Sequence, residues 1–89
     1  MTQAPRIHLN GTSGRELLAQ YTTAMTAVNA AIEAVQAIEC NGRDYYTISN
    51  EAAAVAVDEK RTRLIELKLI YSQLTEIALD VQMQMEARK

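Results

Sequence analysis

Residues 64–81 read LIELKLIYSQLTEIALDV. Leu64, Leu67, Tyr71, Leu74, Ala78 and Val81 recur in alternating steps of three and four, and Met85 adds the next step. That spacing places them along one side of an α-helix, as the seam of a helix packed at a shallow angle on another. Ile65, Leu69, Ile70, Ile77 and Leu79 lie off the seam. This helix is therefore apolar over more of its circumference than one partner covers. Val57 extends the seam backwards, with Lys60 interrupting it. The helix is expected over residues 50–86, with Ser49 or Asn50 as its cap and Glu51 favouring its positive end. Arg88 and Lys89 complement its negative end. Asp58–Arg63 is a mixed-charge stretch in which Glu59 and Arg63 have the favourable i, i+4 order of a solvated face.

The same spacing appears upstream. Leu18, Tyr21, Met25, Val28, Ile32 and Val35 form a second seam, in a helix expected over residues 13–40. Ser13 and Glu16 have the pattern of a capping box, with Thr12 an alternative cap. Ala24, Ala27, Ala31 and Ala34, with Leu17 and Ile38, form a second face that would let a further helix approach closely. Asn41-Gly42 supplies the stop, with Gly expected in the left-handed conformation. The turn is then 41–49 and the N-terminal arm 1–12. In the arm, Ile7 and Leu9 alternate with His8 and Asn10, so an extended strand-like segment would press two apolar side chains down. Residues 1–6 need a neighbour to order them.

Two helices joined by a short polar turn make an antiparallel hairpin. The fold class is all-α. At 1.5 Å per residue the helices span roughly 40 and 55 Å, so about ten residues of the second overhang. A chain of 89 residues is one small domain, and alone it would bury only roughly 60% of its unfolded surface. Alanine supplies 14 of its residues, and Phe and Trp are absent, so a monomer's core is thin. Excess apolar surface predicts assembly into a homo-oligomeric helical bundle.

Net charge −2 and pI near 5.3 argue against a general nucleic-acid binder. One Cys allows neither an internal disulfide nor a Cys-based zinc site in one chain. No signal-peptide core and no 18-residue apolar run are present, and the polar helix faces are not predominantly basic. A soluble, cytoplasmic protein without a membrane role is expected. His8 and Cys40 would stand a full helix apart, roughly 40 Å, which disfavours a Cys–His nucleophile within one chain. No catalytic residues, metal or cofactor are assigned, and an enzyme is not expected.

Two polar clusters remain. The turn brings Asn41, Arg43, Asp44, Tyr45, Tyr46 and Thr47 together. Arg binds phosphate bidentately, and a Tyr ring stacks on a nucleobase. Such a set suits a small nucleotide-like ligand. Equally, Arg43 and Asp44 could cap helix ends while Tyr45 and Tyr46 cover the end of the bundle. The arm offers His8, Asn10, Gly11, Thr12 and Ser13 before a helix start, where free N–H groups favour anions; ordinary capping by Ser13 is the alternative. In one hairpin the clusters lie at opposite ends. An antiparallel second copy would bring one chain's arm to its partner's turn, twice by symmetry.

Ile7-His8-Leu9-Asn10-Gly11-Thr12-Ser13 and Asn41-Gly42-Arg43-Asp44-Tyr45-Tyr46 together resemble a group of small bacteriophage-encoded helical-hairpin proteins, over roughly residues 7–75. Members often place Pro after the two Tyr, where Thr47 stands here. The resemblance implies a phage accessory protein in the cytoplasm of an infected bacterium. Phages use small non-catalytic oligomers as anti-defence sponges for nucleotide immune signals, and small helical proteins as virion or assembly adaptors. A sponge for a cyclic nucleotide or cyclic ADP-ribose relative would use Arg43 for phosphate and Tyr45 and Tyr46 for stacking. Asn41 would stand beside them, and Asn10, Thr12, Ser13 and His8 of a neighbouring chain would complete the pocket. The adaptor alternative acts through the bundle interface itself.

Overall fold

The computed structural model describes residues 2–88; Met1 and Lys89, and with Lys89 part of the expected charge at the end of the second helix, lie outside the described residues. Two helices, α1 (Gly14–Gln36) and α2 (Ala52–Ala87), pack as an antiparallel hairpin. A short 3-10 turn, Gly42–Asp44, sits in the connector between them. Gly14 at the start of α1 lies against Met85 near the end of α2, and Gln36 at the other end of α1 lies against Lys60. The molecule is a rod, 61 × 21 × 18 Å, with a radius of gyration of 19.1 Å. A compact domain of this length would have roughly 12 Å. Two helices side by side enclose little, and the buried apolar side chains among the described residues are Ile32, Ile77, Ala78 and Val81.

Both seams form the contact. Leu18, Tyr21, Met25, Val28, Ile32 and Val35 are half-buried or buried on α1, as are Leu64, Leu67, Tyr71, Leu74, Ala78, Val81 and Met85 on α2. Val57 does not extend the seam. It is exposed, and Ala53 and Ala56 are half-buried instead. Ala24 and Ala31 edge the contact, whereas Ala27 and Ala34 face solvent. Ser13 caps α1, its hydroxyl accepting from the Glu16 N–H at 3.1 Å. The reciprocal bond from Glu16 is not made, so half of the expected box is present.

Helix α1 stops at Gln36, four residues before the expected end. The reason is a side chain on α2. The Lys60 ammonium donates to the carbonyls of Gln36 at 2.8 Å and Ile38 at 2.7 Å. In a continuing helix those carbonyls would accept from residues 40 and 42. With Lys60 bound to them, the chain tightens to an Ile38 N–H to Val35 carbonyl bond and leaves the helix. Lys60 interrupts the apolar seam because it caps the helix opposite, where a cation also meets the negative end of the helix dipole. Gly42 accordingly has no left-handed task; no described residue has positive φ. The connector is residues 37–51, longer than the expected 41–49. It spans the first turns of α2, where the overhang lies. Helix α2 starts two residues late, with Glu51 at the capping position and no side-chain cap from Ser49 or Asn50. The ion pair in the mixed-charge stretch is Arg61 with Asp58 at 3.5 Å, on the surface, rather than Glu59 with Arg63.

The arm is held within the chain. The Ile7 N–H donates to Gln84 Oε1 at 2.8 Å, and Gln84 Nε2 donates to the Pro5 carbonyl at 2.8 Å and to Asp80 Oδ1 at 2.7 Å. Arg88 Nη1 donates to the Ile7 carbonyl at 3.2 Å. A side-chain amide thus supplies the donor and acceptor that a neighbouring strand would supply. Ile77, off the hairpin seam, lies on the same face two turns before Gln84 and is buried. The expectation for the arm's apolar pair is half met. Ile7 is half-buried, its tip over Gly14, but Leu9 is 93% exposed.

Replacing Lys60 with Met keeps the aliphatic stem and removes the donor. The variant should lose about 1 kcal/mol, seen as a lower urea midpoint at unchanged m value. Lys60→Arg should recover most of that loss.

Candidate functional site

The turn end is shaped by the same lysine. Once α1 ends at Gln36, residues 37–41 pass beside α2 and leave a cleft on either side of Lys60. One, of about 500 Å³, is lined by residues 36–41 with Val57, Lys60, Arg61 and Leu64. The other, of about 170 Å³, is lined by Val35, Ile38, Cys40, Tyr45, Ala56, Glu59, Lys60 and Arg63. Asn41 is therefore on the wall of the larger cleft and Tyr45 on that of the smaller. Arg43 and Tyr46 belong to neither wall. Both are exposed. The Asn41 amide donates to Glu39 Oε2 at 3.2 Å rather than capping a helix.

The expected turn cluster is thus split. The 3-10 turn ends at Asp44 with Tyr45 as its cap, so neither Tyr lies within the turn. Tyr45 is half-buried and lines the smaller cleft with Val35 and Ala56. Tyr46, one residue on, is 70% exposed. The cations that do reach the clefts, Lys60, Arg61 and Arg63, come from α2, in the stretch read as a solvated face. One sequence signal was available for Lys60, a charged residue standing at a seam position. Arg61 and Arg63 carry none, since their approach depends on where the connector runs.

At the opposite end, the arm residues His8, Asn10, Thr12 and Ser13 are exposed. The His8 carbonyl accepts from the Gly11 N–H at 3.1 Å, closing a turn at Leu9-Asn10. The imidazole then folds back onto Gly11, its Nε2 2.6 Å from where a Cβ there would stand. Gly11 leaves room for that approach. Ser13 is occupied as the α1 cap. A small apolar niche beside it is lined by Ile7, Gly14, Arg15, Met85 and Arg88. Arm and turn lie at opposite ends of the rod, so within one chain the eight expected site residues form no common pocket. His8 and Cys40 are separated in the same way. Among the described residues no group of three or more His, Cys, Asp or Glu side chains could hold a metal ion, and no described helix is long and apolar enough to cross a membrane.

Comparison with protein-family models, with curated proteins and with solved structures finds no match to this chain.

The arm depends on Gln84. In Gln84→Leu the Ile7 amide should exchange about tenfold faster, the equivalent of losing about 1.4 kcal/mol of local protection. Amides of α1 and of the middle of α2 should keep their rates. Hydrogen exchange resolved by residue reads both.

Proposed function

We propose that the protein works by association and not by turnover, as a helical-hairpin subunit of a homo-oligomeric bundle with a structural or assembly role. One observation carries this reading. On the side of α2 away from α1, Ile65, Leu69, Leu79 and Met83 are 54–70% exposed. Scattered exposed hydrophobics are ordinary, but a row at helical spacing on a rod with four buried apolar residues is a surface that water disfavours. A second hairpin covers it as α1 covers the first seam. The setting implied by the resemblance is the cytoplasm of an infected bacterium.

A second reading is capture of a nucleotide-derived host signal at the turn end. It is supported by Tyr45 standing in one cleft with Lys60 and Arg63, a phenol ring beside two cations. That cleft is smaller than the roughly 300–1,000 Å³ of a small-molecule pocket, so the ligand would need walls from another copy. Arg43, exposed at the rim, would close on phosphate.

The first reading predicts that the wild-type chain at micromolar concentration has at least twice the monomer mass by light scattering, and that Leu69→Glu with Leu79→Glu brings it to monomer mass. A well-folded wild-type monomer removes it. The second predicts saturable heat in calorimetric titration with at least one of a panel of cyclic nucleotides, weakened tenfold or more by Arg43→Ala. A flat panel, or binding indifferent to that substitution, removes it.

A further inference from the structure

The outer row of α2 is symmetric about its own middle, which decides how a second copy fits. At 3.6 residues per turn, Ile65 and Met83 point the same way, Leu69 and Leu79 lie within roughly 40° on either side, and Leu74 of the hairpin seam points opposite. Between the two apolar pairs the row is polar, with Ser72 and Glu76. Residues 65 and 83 are equidistant from 74, and so are 69 and 79, and 72 and 76. Reversing the helix end for end therefore lays apolar positions on apolar positions and Ser72 on Glu76.

We infer that two copies pair through this row as an antiparallel two-fold dimer whose axis crosses α2 at the level of Leu74. The inference rests on the association reading above and fixes its geometry. In this register Ile65 meets Met83 of the second copy, Leu69 meets Leu79, and the Ser72 hydroxyl donates to the Glu76 carboxylate, at both symmetric positions. A parallel pair in register would set like on like. Its apolar contacts would be as good, but Glu76 would face Glu76 in the middle of the contact, a like-charge pair taken partly out of water. The polar centre thus selects the antiparallel alignment, as a single polar core position selects register in coiled coils.

The same alignment brings residue 88 of one copy level with residue 60 of the other. Arg88 holds the arm at Ile7, and Lys60 shapes the turn-end clefts. Each arm is thereby carried to the end of the dimer where the other chain's turn lies.

The test uses the full chain in a Cys40→Ser background, with native mass spectrometry first. A wild-type monomer overturns the association reading itself. Given a dimer or a multiple of it, Ile65→Cys and Met83→Cys chains are oxidised separately and as a mixture. Circular dichroism on each confirms that these exposed substitutions leave the helices intact. The expected result is disulfide formation in the mixture, linking unlike chains, with little in either chain alone. Self-linking of Ile65→Cys alone shows a parallel pair and overturns the geometry. A dimer that yields no disulfide in any of the three samples places the interface elsewhere and also overturns it.

Discussion

Two cylinders touch along one line, and each can hide one stripe there. Almost everything specific about this protein follows from that limit. The hairpin seam uses the stripe on each helix that faces the other, and Val81 is fully buried within it. Apolar residues elsewhere on α2 need a different cover. On one flank the N-terminal arm is bonded to α2 at Gln84 and Arg88. On the outer face no described segment lies, and Ile65, Leu69, Leu79 and Met83 are exposed. A third helix would remedy this in a single chain; a hairpin has only copies or partners to call on.

The ends of the rod are governed by two polar side chains set into otherwise apolar rows. Lys60 caps the end of α1 by donating to the carbonyl of its last residue, Gln36, and to that of Ile38 just beyond it. Gln84 acts as a piece of strand for the arm. Each satisfies backbone groups that a short hairpin cannot pair otherwise, because there is no neighbouring sheet and little buried volume in which to order water. In sequence both look like blemishes in a hydrophobic pattern. In three dimensions they fasten the two non-helical segments to α2, and with them the position of every polar residue at either end.

The contact between the helices was legible because it is periodic. Each step of three or four residues restates the same face, so a misjudged position such as Val57 does not disturb the remainder. The ends were not legible in that way. Helix α1 was expected to run to the Asn41-Gly42 signal, a sound local stop, but a tertiary bond from Lys60 intervened first. Leu9 was expected to pack because it alternates with Ile7, yet the turn at Leu9-Asn10 lifts it away. The Tyr pair read as one cluster because proximity in sequence resembles proximity in space. Tyr45, just past the 3-10 turn, is half-buried and Tyr46 is exposed, so the two end in different environments. Ser13 was placed correctly, since a cap is decided by the residues within one turn of it.

Weak cores and polar site residues are connected in this molecule. If the rod were stabilised by a third helix of its own, the arm and the turn would remain at opposite ends for good. In the proposed assembly, leaving the outer face of α2 to a second copy would make the folded state depend on protein concentration. In return, any partner that covers the face sets the spacing between the two polar ends. An antiparallel copy is the arrangement that carries unlike ends toward each other, and Ser72 and Glu76 are the residues in the row whose chemistry distinguishes it from the parallel one. A wholly apolar row would bind more strongly and specify less. In the proposed dimer, therefore, the polar interruption at the middle of the row would set alignment and the apolar pairs on either side would supply affinity.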